Sequence, residues 1–245
     1  MRWSQSGLPD LGFLKARPFA HRGLHGGATV ENSRAAFEAA IAEGHGIELD
    51  VQASLGGFAF VFHDDRLDRL TGEQGPIGER GSEEVKQIRL SGTDETIPTL
   101  GDVLRLVDGR VPVLIEVKAR GPACDRLCRN VAATLEKYDA PAAVMSFDPR
   151  VGRWFSRHSP QAVRGLVVTE RGKSGLRGAL ERFWSLRRAR PHFLAYDIKD
   201  LPSPFASAQR ARGLPVLTWT VRSAGERARA ALHADQIIFE RPADA

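Results

Sequence analysis

A short segment of the chain reads Gly46-Ile47-Glu48-Leu49-Asp50-Val51, with apolar and acidic residues alternating at a period of two. In a β-strand, this period places Glu48 and Asp50 on one face and the aliphatic side chains on the other. Carboxylates that leave water are costly unless they pair with a cation or bind a metal. A half-exposed strand with its acidic face in solvent is the alternative, and this segment alone leaves both interpretations open.

The length and composition fit a single domain spanning residues 1–245. With 245 residues, 42% of them hydrophobic, the chain can bury a substantial core. The net charge of +5 is uneven, with 18 basic and 8 acidic residues from Arg150 onward and 17 and 22 before it. The acidic part, with a candidate metal site, and the basic part could face one anionic small molecule, but a solvated, arginine-rich surface is the better explanation for most of the arginines. Few aromatic residues lie among the basic ones, so we expect no nucleic-acid partner.

The apolar runs and the two cysteines indicate the cellular location and exclude some kinds of site. Runs such as Phe58–Phe62 are too short to span a bilayer, and the chain opens without the apolar segment of a signal peptide. We therefore expect a cytoplasmic protein without stable membrane insertion. Cys124 and Cys128 are four residues apart in a helical pattern. Because no third soft ligand is nearby, they are predicted to be packing residues rather than a metal site.

Strand and helix patterns alternate in short units along most of the chain. Apolar runs predict strands, and apolar residues at helical spacing behind N-cap signals predict helices. Ser223 and Glu226 read as a capping box at the last helix. The predicted strands are 17–20, 46–51, 58–62, 111–118, 142–147, 165–169, 193–198, 216–221 and 236–239.

This alternation predicts an α/β protein with a (β/α)8 TIM barrel. The strand at 58–62 follows a short turn and is expected to form a hairpin with the strand before it. Residues 66–98 are polar and weakly helical around 82–88, and we expect a small insertion on the substrate side. Residues 1–16 are expected to be an irregular lead-in. A doubly wound open sheet is the alternative, but no glycine-rich dinucleotide motif follows the first strand.

Charged residues collect at the ends of the opening strands, where a barrel carries its catalytic groups. Each one interrupts an aliphatic run, which a solvated surface does not readily explain. They are His21, Arg22, Glu48, Asp50, His63, Glu116 and Lys118.

The residue types assign chemical roles to this set. Three carboxylates suit a hard divalent cation, Mg²⁺ or Ca²⁺, while zinc held by the histidines is the weaker alternative. His21 and His63 suit a general acid and a general base. Arg22 and Lys118 suit phosphate oxygens. Formal charges of −3 from the carboxylates, +2 from the metal and +2 from these two cations sum to +1, which matches a singly charged phosphodiester.

The sequence resembles the glycerophosphodiester phosphodiesterase family over most of its length. The motifs occur in the family's order and are dense from residue 18 to 118. They are His21-Arg22-Gly23, Glu31-Asn32-Ser33, Glu48-Leu49-Asp50-Val51, Phe62-His63-Asp64, Ile97-Pro98-Thr99-Leu100, Ile115-Glu116-Val117-Lys118, Ser146-Phe147 and Trp219-Thr220-Val221.

The resemblance implies a TIM barrel of the phospholipase C-like phosphodiesterase type, with a role in glycerol and lipid metabolism. It implies metal-dependent hydrolysis of glycerophosphodiesters to an alcohol and sn-glycerol 3-phosphate, with an adjacent substrate hydroxyl attacking phosphorus first. By the same resemblance, the metal ligands are Glu48, Asp50 and Glu116, the acid–base pair is His21 and His63, the phosphate ligands are Arg22 and Lys118, and Trp219 lines the glycerol end.

Two departures from the family pattern are expected to affect the pocket rim and the preferred alcohol. Val30 stands where a proline is common, and Phe239-Glu240-Arg241-Pro242 replaces a Thr-Asp or Thr-Asn ending. Neither is expected to touch the metal or acid–base residues. Asn32 and Ser33 are predicted to cap a helix, and the other histidines, including His25, are predicted to be structural or surface residues.

Two other functions remain open from the sequence. A lysophospholipase D acting on lysophospholipids would need an apolar groove for an acyl chain. A non-catalytic barrel that binds anions through its basic part would need neither the histidines nor a divalent ion.

Overall fold

A computed structural model of the chain describes residues 9–119, 123–173 and 175–241. Its strands are β1 Phe19–His21, β2 Gly46–Ala53, β3 Ala59–Val61, β4 Val113–Val117, β5 Ala142–Ser146, β6 Val163–Val168, β7 Phe193–Asp197, β8 Val216–Val221 and β9 Gln236–Phe239. Its helices are α1 Phe13–Ala16, α2 Arg34–Ala42, α3 Ser82–Val85, α4 Leu100–Val107, α5 Ala123–Leu135, α6 Pro149–His158, α7 Gly175–Ala189, α8 Pro204–Ala211 and α9 Ala224–His233.

The sheet closes into a barrel of eight parallel strands. Starting from β1, the order of neighbours is β9, β8, β7, β6, β5, β4 and β2, and β2 pairs with β1 again. The ninth strand, β3, pairs antiparallel with the end of β2, so that Val51 lies opposite Val61. The predicted TIM barrel and its hairpin are therefore confirmed.

Side chains alternate between the barrel interior and the layer beneath the helices. In β2, Ile47, Leu49 and Val51 belong to the main apolar core with the helices. The interior holds a second cluster that includes Phe19, Leu114 and Phe193. Leu14 of α1 joins this interior cluster. The predicted irregular lead-in is thus wrong for Phe13–Ala16, because the apolar Leu14 is buried there in a short helix, while residues 1–8 lie outside the described part of the chain.

The insertion at residues 66–98 has an apolar cluster of its own. Ile77, Val85 and Ile88 pack there with Phe60 and Phe62 of the hairpin arm. The predicted helical segment is present, but α3 is shorter than expected. This packing fixes the insertion above the end of β2, where it can contribute to a site at the barrel mouth.

Helix starts follow the predicted capping signals with one exception. Ser33 Oγ accepts the N–H of Ala36, and α6 begins with Asp148 as cap and a proline. At α9, Ser223 Oγ accepts the N–H of Glu226, but the Glu226 carboxylate accepts the N–H of Arg222 instead of the cap residue's own N–H. The predicted capping box is therefore only half formed.

None of the described helices combines the length and apolar character needed to cross a bilayer.

The two cysteines lie on the inner face of α5, as predicted: both are buried in the main core, with their sulfur atoms 4.0 Å apart. The assignment of residues 1–245 to one domain stays a prediction.

Gly23 is expected to be essential for stability. Its φ is +78°, and a Cβ there would lie 2.8 Å from the backbone of Ala36 in α2. Gly23→Ala should lower the free energy of unfolding by about 2–4 kcal/mol, because it combines left-handed strain with overpacking. Gly72→Ala is the control, since no atom lies within 4 Å of its Cβ position, and it should change stability by less than about 0.5 kcal/mol. Equal midpoints in urea unfolding for the two variants would contradict this account.

Candidate active site

Three carboxylates meet inside the barrel mouth. Glu48 and Asp50 lie on the interior face of β2, and Glu116 lies beside Asp50 on the paired strand β4. All three side chains are buried, and an oxygen of each lies within 4.8 Å of an oxygen of the others. The alternation in the segment Gly46–Val51 therefore places Glu48 and Asp50 on the same face of β2, as predicted, and Glu116 joins them from β4.

Two cations lie against these carboxylates. Lys118 Nζ is 2.9 Å from Asp50 Oδ1 and 2.6 Å from Glu116 Oε1. Arg22 Nε is 3.2 Å from Asp50 Oδ2, and the backbone N–H of Arg22 donates to Glu48 Oε2 at 3.1 Å. Burial disfavours an ionised Asp50, but Lys118 and Arg22 outweigh it and lower the pKa of that carboxyl. Burial and the neighbouring carboxylates raise the pKa of Glu48 and of Glu116.

The carboxylates fit a hard divalent cation. Glu48 Oε1 is buried and accepts no hydrogen bond from any described residue, which is costly unless something else pairs with it. Oxygen ligands from three carboxylates are the donor set that Mg²⁺ and Ca²⁺ prefer. The residues present therefore fit the predicted ion class.

His21 is held by a carboxylate that the sequence did not assign to the site. Its Nδ1 lies 2.6 Å from Glu240 Oε1, and its Nε2 lies 3.9 Å from Glu48 Oε2. Glu240 is also bound by Arg222 at 2.6 and 2.9 Å. Burial opposes ionisation of Glu240, but His21 and Arg222 lower the pKa of this carboxyl to about 2. An ionised Glu240 accepts a hydrogen bond from Nδ1–H, which turns Nε2 toward the acidic centre.

His63 is oriented in the same way by a neighbouring carboxylate. Its Nδ1 lies 2.6 Å from Asp64 Oδ1, and Arg69 holds Asp64 with contacts of 2.6 and 3.0 Å. These bonds to Arg69 and His63 lower the pKa of Asp64 to about 2. Burial lowers the pKa of His63, and the same cause lowers that of His21. Both predicted acid–base residues are therefore carboxylate-bound imidazoles.

Two adjoining cavities open at these residues. A cavity of about 410 Å³ contains His21, Glu48 and Trp219, and a cavity of about 680 Å³ contains Asp64, Arg69 and other residues of the insertion. The two share His63, Glu116, Lys118 and Phe147 in their walls. Trp219 donates its indole N–H to the Ala195 carbonyl and meets the Phe147 ring edge-on at 5.4 Å. The carboxylate centre thus lies where the two cavities join.

Two sequence-based expectations about individual residues are wrong. Glu240 touches His21, although the altered ending was expected to leave the acid–base residues alone. Asn32 does not cap a helix: its φ is +58°, and its side-chain amide donates to Asp50 Oδ2 at 3.0 Å. His25, predicted to be a structural or surface residue, is half-buried, with its Nε2 4.0 Å from Glu240 Oε1. Val30, the other departure, packs with the apolar cluster of the insertion.

A signal for Glu240 was present in the sequence. Ile238 of β9 points into the barrel, so two residues later Glu240 returns to the same side. β9 pairs with β1, where Phe19 lies opposite Ile238, so this acid lies beside the end of the strand that carries His21. A charged residue at the end of a strand is the same criterion that identifies the other site residues.

A closed parallel barrel that gathers charged and titratable side chains at the carboxyl ends of its strands is typical of TIM-barrel enzymes. The sequence profile of the glycerophosphoryl diester phosphodiesterase family matches residues 21–243. The chain therefore belongs to that family, and the predicted class of phosphoric diester hydrolase is confirmed.

Individual relatives agree with this assignment. A glycerophosphodiester phosphodiesterase of Bacillus altitudinis is 39% identical over 109 residues, which is 42% of this chain and only 44% of the relative. A Mycobacterium tuberculosis protein named probable glycerophosphodiester phosphodiesterase 2 is 30% identical over 88% of this chain and 78% of its own. The structure of an Oleispira antarctica phosphodiesterase in complex with the product sn-glycerol-3-phosphate superposes with a TM-score of 0.79 at 22% identity, covering 93% of both chains, and supports the fold.

Proposed function

We propose that this protein hydrolyses glycerophosphodiesters to an alcohol and sn-glycerol 3-phosphate in a metal-dependent reaction with His21 and His63 as the acid–base pair. One observation carries the proposal: a buried centre of three carboxylates lies between two imidazoles, each oriented through Nδ1 by its own carboxylate. Membership of the phosphodiesterase family restricts the chemistry to phosphoric diesters.

Glu48, Asp50 and Glu116 would hold one divalent ion, Mg²⁺ or Ca²⁺. When bound, such an ion stabilises negative charge on phosphoryl oxygens. Lys118 and Arg22 add two positive charges at the same point. Because both are bound to carboxylates, their positions are fixed before a substrate phosphate arrives, and such preorganised charge stabilises a transition state effectively.

The imidazoles supply proton transfer at Nε2. Nδ1–H of each donates to an ionised carboxylate, so Nε2 is the nitrogen that can accept or give a proton in the cavity. One imidazole takes the proton of the attacking hydroxyl, and the other protonates the oxygen of the departing alcohol. The lowered pKa of each histidine favours a neutral ring, which suits the one that acts as the base near neutral pH. The histidine that acts as the acid must carry a second proton, on Nε2, before the alcohol departs.

The two cavities suggest where each half of the substrate lies. We place the glycerol end in the cavity of about 410 Å³, against Trp219. The alcohol end then occupies the cavity of about 680 Å³, beside the insertion. Charged groups of the insertion, among them Arg66, Asp68 and Arg69, line this cavity, and on that basis we propose a polar alcohol in preference to the acyl chain of a lysophospholipid. A cytoplasmic location and a soluble small-molecule substrate belong to the same proposal.

Release of sn-glycerol 3-phosphate from glycerophosphocholine, glycerophosphoethanolamine and glycerophosphoglycerol tests this function. Turnover should stop in excess EDTA and return when Mg²⁺ or Ca²⁺ exceeds the chelator. Anion binding without turnover of any of these diesters, unchanged by EDTA, would instead identify a non-catalytic barrel. Turnover of lysophospholipids alone would identify the lysophospholipase D alternative.

Glu240 is expected to be a positioning residue for His21. Glu240→Gln should lower kcat by about 10–100-fold with little change in KM, because it replaces a charge-assisted hydrogen bond worth about 1.5–3 kcal/mol. Arg222→Met is the matched variant, because it removes the ion pair between Arg222 and Glu240 but keeps the hydrogen bond from His21 to Glu240. The decrease in kcat should therefore be smaller in Arg222→Met than in Glu240→Gln. If kcat is equal in Glu240→Gln and the unmodified enzyme, Glu240 does not orient His21.

A further inference from the structure

Helix α7 carries an apolar face that is largely exposed in the described part of the chain. Leu176, Leu180, Phe183 and Trp184 recur at helical spacing and are all exposed, with 79% of Leu176 and 65% of Trp184 accessible. They are four of the eight large apolar side chains exposed in the described part of the chain. Such a concentration on one helix marks an interaction surface.

This face does not belong to the fold's own core. Gly178 and Ala189 are the buried residues of α7, and Ala189 packs against Gly152 of α6 so closely that a Cβ on Gly152 would lie 2.7 Å from the Ala189 carbonyl. On a wheel of 3.6 residues per turn, these two residues lie opposite Leu180 and Trp184. The helix is therefore apolar on two opposite sides, one packed and one open.

Positive charge borders the open side. Arg177, Arg187 and Arg188 are exposed on α7, and on the helical wheel they lie among or directly beside the open apolar residues. The Arg187 guanidinium lies over the Phe183 ring at 5.1 Å. Glu181 is the one acidic residue in the sequence of α7, and Lys173 binds it. An apolar stripe with leucine, phenylalanine and tryptophan, edged by arginines, is the pattern of a helix that lies in a membrane interface.

The charges favour an anionic lipid surface over a second copy of the chain. In a two-fold interface, this face would meet itself, and the arginines of the two copies would confront each other. An anionic bilayer would bury the same apolar side chains and neutralise the same arginines.

The first turn of α7 follows a segment that lines the barrel mouth. The segment between β6 and α7 contributes Thr169 and Arg171 to the cavity of about 410 Å³ that contains His21. A bilayer contacting the first turns of α7 would therefore lie near the rim of the site.

We infer that α7 docks the protein peripherally on anionic lipid surfaces through Leu176, Leu180, Phe183 and Trp184, with the flanking arginines facing lipid headgroups. This surface binding does not depend on the proposed reaction, and it requires no insertion of a spanning helix.

Cosedimentation of the full chain with vesicles tests the inference. The unmodified protein should bind phosphatidylcholine vesicles containing one third phosphatidylglycerol more tightly than pure phosphatidylcholine vesicles, and salt should weaken the binding. Leu180→Ser/Trp184→Ser should weaken it at least about tenfold, and Arg187→Glu at least about fivefold. Leu232→Ser and Arg212→Glu are the matched controls, since Leu232 is 71% exposed on α9 and Arg212 is exposed after α8; both should bind as the unmodified protein does.

The results distinguish a lipid surface from a second copy of the chain as the partner of this face. All variants should keep the thermal midpoint of the unmodified protein, because the substituted side chains are exposed. Absence of binding to anionic vesicles, or equal losses in the α7 variants and their controls, would overturn the inference. Dimers in sedimentation velocity that Leu180→Ser/Trp184→Ser dissociates, without vesicle binding, would assign the face to a second copy of the chain and also overturn it.

Discussion

Replacing Glu48 by glutamine is expected to lower glycerophosphodiester turnover by at least about 10³-fold. The loss follows from weaker binding of the divalent ion, whose stabilisation of transition-state charge is worth several kcal/mol, at 1.36 kcal/mol for each factor of ten. Even residues behind a metal ligand typically change metal affinity by about 10–100-fold, so loss of a ligand should exceed that range. Divalent binding can be measured by calorimetry alongside turnover.

The same variant should fold normally, which separates loss of the ion from loss of structure. Burial and the neighbouring carboxylates raise the pKa of Glu48 above its usual value. Its ionisation therefore costs stability as pH rises past that usual value, and a neutral glutamine removes the cost. Without divalent ions the variant should be at least as stable as the unmodified protein, and Mg²⁺ or Ca²⁺ should raise the melting temperature of the unmodified protein but not that of Glu48→Gln.

Glu38→Gln is the control for Glu48→Gln, because Glu38 is exposed on α2. It should keep turnover, divalent binding and the ion-dependent rise in melting temperature. Retention of ion-dependent turnover in Glu48→Gln would remove Glu48 from the set of ligands.

Replacing His21 by alanine is expected to lower kcat by about 10²–10⁴-fold, the range for loss of one acid–base group. Because His21 is not among the proposed ligands, the ion-dependent rise in melting temperature should remain. His63→Ala should behave in the same way, since its imidazole is held by Asp64.

His158→Ala is the matched control for the His21 variant. His158 is exposed at the end of α6, where it stacks on Trp154 at 4.6 Å, so turnover should not change. If His21→Ala turned over diesters as fast as His158→Ala, proton transfer through His21 would be excluded.

The barrel and most of the site could be predicted because the alternation of side chains along a strand is a local property of the sequence. Alternation in β2 is enough to separate Glu48 and Asp50 from Leu49, and the barrel places the equivalent face of β4 beside it. Once parallel strands close around one axis, the residues at their ends must converge, whichever helices connect them. Glu116 and Lys118 were therefore predictable although they lie more than sixty residues from Glu48.

Residues that enter the site from loops were harder to predict. Asn32 reaches Asp50 because the loop after β1 folds back, with Arg22 and Asn32 both at positive φ and the Asn32 N–H bound to the Arg22 carbonyl. No periodic pattern encodes that loop conformation. Its neighbour Ser33 follows a local rule and does cap α2, so the adjacent polar residue was interpreted by the same rule and assigned wrongly.

Glu31 and Arg69 illustrate a second reason for incomplete prediction. Arg69, from the insertion, contacts Glu31 at 2.7 Å and Asp64 at 2.6 Å, while Glu31 also binds Arg22. The ion pairs join the loop after β1 to an insertion about forty residues away. Pairing between segments so far apart depends on how the insertion packs, which composition and spacing do not determine.

An anomalous difference map from crystals grown with Mn²⁺, a hard divalent probe, tests the central claim most directly. The account predicts a strong peak bound by carboxylate oxygens of Glu48, Asp50 and Glu116, between His21 and His63. A second group of potential ligands, His21, His25 and Glu240, also lies within 4.8 Å of one another. A peak at that second group, or no peak at the three carboxylates, would contradict the account.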